Sequence, residues 1–172
     1  MRLEKNLTCE RITIRNYKTA DQEFCTGMWF DEENGKYLSD PTKDYVDEVY
    51  QNAIDSMEDS DDGYYLVIEN KSEGKSIGTC CAFPNEDRSN IDIGYCINKE
   101  YWRKGYASEA IQKLIEWAKE QSIKTVTAEV AKENIPSCGL LDKLGFKVKS
   151  ETTYKKYHMD IEFDSYIYEL AI

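Results

Sequence analysis

The chain is poor in the residues that break, staple or coordinate. Three prolines and nine glycines in 172 residues leave no stretch that reads as a linker. No segment repeats at a fixed period, which excludes solenoids and propellers. There is a single histidine, His158, and no two of the six cysteines (Cys9, Cys25, Cys80, Cys81, Cys96, Cys138) are spaced Cys-x-x-Cys. A zinc site and a disulfide framework are both poorly supported, so no metal is expected and the thiols read as reduced core fillers. No apolar run approaches the ~18 residues of a membrane span. The opening Met1–Arg15 is too charged for the apolar part of a secretory leader. The expected location is therefore the cytoplasm, away from any membrane.

Positive charge is also scarce. Lys and Arg number 22 against 33 Asp and Glu, a formal net charge of −11. Such a surface repels a phosphate backbone, so nucleic acid is not an expected partner. The same charge draws amines and basic peptides, and it also serves plain solubility. What the chain does have is a 41% hydrophobic content and 13 tyrosines, which argue against disorder. A chain of this length is expected to form one domain, residues 1–172, with its own core.

Periodicity places the elements. Cys9–Arg15 alternates apolar and polar residues and predicts a first strand. Two helical stretches follow, at about 20–30 and 42–58, the second entered at Pro41 with Thr42 as its cap. It carries Tyr45, Val46, Val49, Ala53, Ile54 and Met57 at helical spacing. Tyr64–Glu69 and Ser76–Phe83 read as a hairpin. In the strand from Ser89 to Ile97, Ile91, Ile93, Tyr95 and Ile97 point one way, and Asp92, Gly94 and Cys96 the other. An amphipathic helix is predicted from Ala107 to about Gln121, then a strand over Lys124–Val130 and a helix over Ile135–Leu144 ending at Gly145. Phe146–Lys156 and Ile161–Leu170 close the chain as strands. The order predicts an α/β (α+β) fold, a mixed sheet with helices on its faces. The helical crossover between residues 90 and 130 forces two parallel strands.

Three places carry candidate chemistry. Arg103-Lys-Gly-Tyr-Ala107 stands between a strand and a helix start, where unpaired amides and the helix dipole favour a phosphate. Gly105 and Ala107 permit close backbone approach. On spacing alone a Gly before a helix is more often just a turn. Asp92 is either a solvated strand residue or a base that takes a proton from an incoming ammonium. Asn134 opens the last helix as a cap, with Ser137 on its first turn, or holds an amide-bearing ligand.

Taken together, Ile91-Asp-Ile-Gly-Tyr95, Tyr101-Trp-Arg-Lys-Gly-Tyr-Ala-Ser-Glu-Ala110, Asn134-Ile-Pro-Ser137 and Lys143-Leu-Gly-Phe146 resemble the GCN5-related N-acetyltransferases. The likeness is greatest to the branch that includes the ribosomal-protein N-terminal acetyltransferases, and the segment Thr8–Arg15 resembles that branch's opening strand. The resemblance implies a centrally splayed sheet of about seven strands with about four helices. It implies acetyl-CoA as cosubstrate. Arg103, Lys104, Gly105, Tyr106, Ala107 and Ser108 would cradle its diphosphate. Tyr95, Cys96 and Ile97 would pair with its pantetheine arm as if with an added strand, and Asn134 would bind that arm. Asp92 stands where many relatives carry a catalytic glutamate, and Ser137 would lie near the sulfur. Two positions depart from the pattern. Trp102 replaces the usual Gln or Arg, and Leu141 replaces a tyrosine acid, which leaves Ser137, a water or nothing to protonate the thiolate.

The implied reaction is direct transfer, with backbone amides near Tyr95 to Ile97 facing the oxyanion. An α-amino group, of pKa about 7.7–8.0, is roughly a tenth neutral near pH 7, whereas a lysine needs about 4–5 kcal/mol for deprotonation. One short carboxylate suits the first better, so the acceptor is expected to be a small-molecule amine or a peptide or protein N-terminus. Cys138 and His158 are expected to be spectators. The loop Trp29–Leu38 falls where such proteins shape the acceptor site, and its Asp31, Glu32 and Glu33 would either attract a cation or stay solvated. The rival readings are a non-catalytic acyl-CoA-binding or interaction module on the same fold, and a fold with no coenzyme site. The assembly is expected to be a monomer or a homodimer.

Overall fold

The computed structural model describes residues 1–172, and eight strands join in one sheet in the order β1-β2-β3-β4-β5-β6-β8-β7. These are β1 Leu7–Thr8, β2 Ile12–Asn16, β3 Tyr64–Asn70, β4 Lys75–Pro84, β5 Asn90–Ile97, β6 Thr125–Ala131, β7 Lys147–Lys155 and β8 Glu162–Ala171. Four α-helices complete the fold: α1 Gln22–Trp29, α2 Glu48–Ser56, α3 Tyr106–Glu120 and α4 Ile135–Lys143. The expected count of about seven strands becomes eight because Leu7–Thr8, ahead of the predicted Cys9–Arg15, forms an extra edge strand. A turn, in which the Cys9 amide donates to the Ile12 carbonyl at 2.9 Å, takes up the start of the predicted strand and folds β1 back antiparallel on β2.

The second helix also begins later than expected. Thr42 makes no side-chain cap bond and opens only a single 3-10 turn, Lys43–Tyr45. Val46 is extended and interrupts the helix, and the Asp47 carboxylate then caps α2 by accepting from the Tyr50 amide at 2.8 Å. Tyr45 and Val49, which stand at helical spacing in the sequence, are 50% and 69% exposed; Ile54 is the residue of α2 that is buried.

Alternation along β3 separates two apolar clusters. Leu66 and Ile68 face a large core shared with α3 and α4, whereas Val67 faces a small one with Tyr17 and Cys25 under α1. Helix α3 buries Ala110, Ile111, Leu114, Trp117 and Ala118 in the large core. Each large aliphatic side chain there is worth about 1.5–3 kcal/mol relative to exposure. Helix α4 ends as its sequence predicts, on Gly145 at φ +92°, and the next residue, Phe146, is fully buried.

All strand pairs are antiparallel except β5 with β6. That parallel pair holds for three positions only: Asn90 with Thr125, Ile91 with Val126, and Asp92 with Thr127. Beyond Asp92 the two strands part. Strand β5 stays paired with β4 as far as Ile97, and β6 stays paired with β8 as far as Ala131. The sheet is splayed at its centre.

Candidate active site

The splay opens into a cleft of about 1130 Å³ that reaches both faces of the sheet. One end is built by the segment before α3. Gly105 caps the helix in the left-handed region, at φ +84°, and Arg103 is also left-handed, at φ +61°. No backbone amide from Arg103 to Ser108 donates a hydrogen bond within the protein. Six unspent amides at a helix N-terminus form a strong anion receptor. The loop is braced from behind by Arg11, whose guanidinium donates to the Lys104 carbonyl and to Glu109, both at 2.8 Å, and lies 4.7 Å from the centre of the Tyr106 ring. Arg11 was invisible as a loop residue in the sequence because it lies 93 residues away from its partner.

The side chains of this segment do different things. Arg103, Gly105, Tyr106, Ala107 and Ser108 line the cleft. Lys104 does not: its ammonium turns to the Glu100 carbonyl at 2.9 Å, so it offers the cleft only backbone. The Tyr106 hydroxyl is held by the Asn70 amide at 2.8 Å. Trp102, at the position that departs from the family pattern, donates its indole N–H to the Ile97 carbonyl at 2.6 Å. The same carbonyl also accepts from Asn34, so the far end of β5 is already engaged.

The wall of the splay brings Tyr95, Cys96, Ile97, Asn134 and Ser137 together. Asn134 caps α4, its Oδ1 accepting from the Ser137 amide at 3.3 Å, while its own NH₂ has no partner. The Tyr95 hydroxyl donates to the Ser137 Oγ at 3.0 Å. Burial pushes the Tyr95 hydroxyl up to about 12, with the Ser137 contact opposing, so the proton stays on oxygen at neutral pH. Leu141 is fully buried and has no part in the cleft wall. Sequence reasoning credited Tyr95 with its backbone only; the alternation that sends Tyr95 to the face of α4 was the available signal.

Asp92 stands at the fork itself, on the last paired position of β5, and is not part of the cleft wall. Its carboxylate accepts from Thr127 Oγ1 at 2.8 Å. Burial raises its pKa above the usual carboxylate value, Thr127 lowers it, and nearby Glu129 raises it further. Such a carboxylate is a better base than an exposed one.

The acidic loop after α1 is arranged otherwise than its composition suggests. Asp31 and Glu33 both pair with Lys99, at 2.8 and 3.3 Å, and Asp31 also takes the Asn34 amide at 2.7 Å. Lys99 offsets part of their charge, and Glu33 stays exposed at the cleft. The loop is held instead by Lys156, a buried ammonium that donates to the carbonyls of Gly35, Leu38 and Asp40 at 2.8, 2.9 and 3.0 Å. Cys138 is buried with its thiol toward the Ala131 carbonyl, and His158 is exposed, stacked on Tyr157. No group of three or more His, Cys, Asp or Glu side chains comes together as a metal site, and no helix is long and apolar enough to cross a membrane.

A splayed sheet with an anion-receiving helix N-terminus beside the splay defines the acyl-CoA-dependent N-acetyltransferase class. The chain belongs to the GNAT acetyltransferases: the family's acetyltransferase (GNAT) domain matches residues 11–147. It is similar to the uncharacterized N-acetyltransferase p20 of Bacillus licheniformis, with 33% identity over 83% of each chain. Its fold matches an acetyltransferase (GNAT family) from Bacillus anthracis, with a TM-score of 0.80 and 24% identity over 97% of this chain and 98% of that one. It also matches spermidine N-acetyltransferase from Vibrio cholerae in complex with CoA and spermine (TM-score 0.78, 16% identity, 94% and 95% coverage). A third fold neighbour is ribosomal-protein-S5-alanine acetyltransferase from Vibrio fischeri (TM-score 0.74, 19% identity, 98% and 97% coverage). The protein is an acyltransferase of this family; the ribosomal-protein branch is indicated only by likeness of fold.

Proposed function

We propose that this protein transfers an acetyl group directly from acetyl-CoA to a primary amine, either a small molecule or a peptide or protein N-terminus, and that residues 1–172 act as one domain. The observation that carries the reading is the three-residue β5–β6 ladder, which opens beside six unpartnered amides. Acetyl-CoA supplies an activated thioester. The amides of Arg103 to Ser108, with the Arg103 side chain, hold its diphosphate. The unpaired NH₂ of Asn134 and the open edge of β5 near Tyr95 and Cys96 hold its pantetheine amides, and the β5 edge faces the developing oxyanion.

Three proton movements remain. The acceptor ammonium gives its first proton to Asp92, through a water because the carboxylate is set back from the cleft wall. The departing thiolate takes one from Ser137, which the Tyr95 hydroxyl resupplies. The attacking nitrogen sheds its second proton as the amide forms, and that proton returns through water to the Tyr95 oxygen. No cysteine nucleophile takes part, since Cys138 has no base beside it. The enzyme acts without a metal, as a monomer or homodimer in the cytoplasm. Its partners are neither nucleic acid nor membrane.

The test is thiol release from acetyl-CoA against a panel of amines and peptides. Release that depends on an amine and yields an acetylated product supports the reading. Tight calorimetric binding of acetyl-CoA with no turnover on any amine would replace it with a binding module.

A further inference from the structure

Six charged side chains line the cleft: Glu33, Lys36, Asp40, Arg103, Glu129 and Lys143. Arg103 belongs to the anion-receiving loop, and Glu33 is paired with Lys99. Lys36 lies over the Tyr37 ring, 4.8 Å from its centre. Glu129 accepts from Ser165 at 2.6 Å. Asp40 differs from all of these. It is half-buried, its one side-chain donor is the Tyr50 hydroxyl, and it makes no ion pair. The nearest cation, Lys156, spends its donors on three carbonyls, one of them Asp40's own. Burial raises the Asp40 carboxyl above the usual range, Tyr50 and the Lys156 charge oppose that rise, and a cation arriving in the cleft stabilises the charged form further.

The surroundings say what cation fits. Trp29, Tyr50, Tyr65 and Phe83 line the same cleft; Tyr50 bonds Asp40, Tyr65 pairs with Cys81 and packs on Phe83, and Trp29 bonds Thr79 two residues along the same strand. Their faces attract an ammonium and cover the apolar body attached to it. Tyr50 is locked between Phe30 and Tyr157, with ring centres 5.9 and 5.1 Å away, so the Asp40–Tyr50 pair is rigid. The Asp40 charge also acts on the Cys81 and Cys96 thiols, both pushed up to about 12 mainly by burial. Cys81 feels Asp92 as well. Asp40, Cys81 and Cys96 line one cleft, and Cys96 lies on the face of β5 opposite Tyr95.

We infer that Asp40, braced by Tyr50, is the seat of the acceptor's ammonium, and that the acceptor is a primary amine on an apolar or aromatic body. This inference rests on the transferase reading above and names its substrate class. The shared chemistry is found in a free aralkylamine and in a peptide with an apolar first residue.

The experiment compares wild type, Asp40→Asn and Tyr50→Phe with phenethylamine, a short peptide beginning with Phe, and glutamate as acceptors. Phenethyl alcohol serves as a neutral competitor. Wild type acetylates phenethylamine or the Phe peptide in preference to glutamate, and the ratio of the two turnovers identifies the source. Asp40→Asn raises the acceptor KM by about tenfold or more, the scale of a lost charged hydrogen bond. It leaves the acetyl-CoA KM and the inhibition by phenethyl alcohol unchanged. Tyr50→Phe moves the acceptor KM in the same direction by several-fold, and decides the matter if Asp40→Asn does not fold. An unchanged acceptor KM, an equal rise in both KM values, or a preference for glutamate overturns the inference. If wild type acetylates no amine, the transferase reading fails alone. The seat is then read by calorimetry of phenethylamine on CoA-loaded protein, where equal affinity in wild type and Asp40→Asn overturns it.

Discussion

The Tyr95 hydroxyl on β5 and the Ser137 Oγ on α4 meet at 3.0 Å and join the two elements across the cleft. In the proposed reaction this contact is the proton donor, since Leu141 offers none. Tyr95→Phe is expected to lower kcat by about 10²-fold, the scale of a general acid, with a small change in the acetyl-CoA KM. Because burial holds the hydroxyl at about 12, it remains protonated from pH 7 to 10. The kcat profile should then show no alkaline fall in that range. A fall with a midpoint below pH 10 that disappears in Tyr95→Phe contradicts the assignment.

Asp92 links activity to stability with opposite signs. Its folded pKa is raised, so the folded state holds the proton more tightly than the unfolded chain does. Stability from this group is present at pH below the unfolded value and is lost as pH rises through the folded one. At neutral pH the buried charge is a net cost. Asp92→Asn retains an oxygen for the Thr127 hydroxyl and removes that charge. The variant should melt higher than wild type at pH 7, lose most of its turnover, and bind coenzyme as before. Full turnover in this variant removes Asp92 from the mechanism.

Asn134 has two duties that substitution can separate. Its Oδ1 caps α4 while its NH₂ faces the cleft without a partner. Asn134→Asp keeps a capping oxygen and loses the amide donor; Asn134→Ala loses both. The Asp variant is expected to retain its melting temperature and to raise the acetyl-CoA KM. The Ala variant should raise KM similarly and also lose about 1 kcal/mol of stability. Equal KM values for Asp, Ala and wild type would leave Asn134 a cap only.

The Gly105 backbone sits at φ +84°, and a Cβ added there would come within 3.3 Å of the Arg11 guanidinium. Gly105→Ala is expected to cost about 1–2 kcal/mol, the left-handed penalty for a residue with a Cβ. The strain falls on the amides proposed above to receive the diphosphate. The thermal shift produced by saturating CoA should shrink relative to wild type. An undiminished shift argues against this loop as the anion seat.

The parts of the site written in contiguous sequence were legible. Alternation placed Asp92 and Tyr95 on opposite faces of β5, and Gly105 and Asn134 announced the starts of α3 and α4. The splay itself came only from resemblance, because no local pattern says where a parallel ladder stops. Long-range pairs were illegible for the same reason: Arg11 reaches Lys104 and Lys156 reaches Gly35 across 93 and 121 residues. The α2 misreading has a local cause. Tyr45 and Val49 keep a helical spacing, yet the break at Val46 rotates the pattern away from the core.

Lys156 tests how far the acceptor loop depends on one side chain. Its ammonium is buried, burial lowers its pKa, and three carbonyls from Gly35 to Asp40 converge on it. Lys156→Met removes an expensive buried charge but leaves the Leu38 and Asp40 carbonyls unserved, each worth about 1–3 kcal/mol if it stays dry, while the Gly35 carbonyl keeps the Leu38 amide. A core segment would bear that cost in full. A loop can instead turn its carbonyls to water, so the damage should stay local. The Gly35 and Leu38 amides, now bonded to the Asp31 and Gly35 carbonyls, should lose hydrogen-exchange protection while the amides of α3 keep theirs. The acceptor KM should rise and the acetyl-CoA KM should not, because the Arg103–Ser108 amides are built on Arg11 and not on this loop. Uniform loss of protection across the sheet would show that Lys156 supports the whole fold and not the acceptor wall.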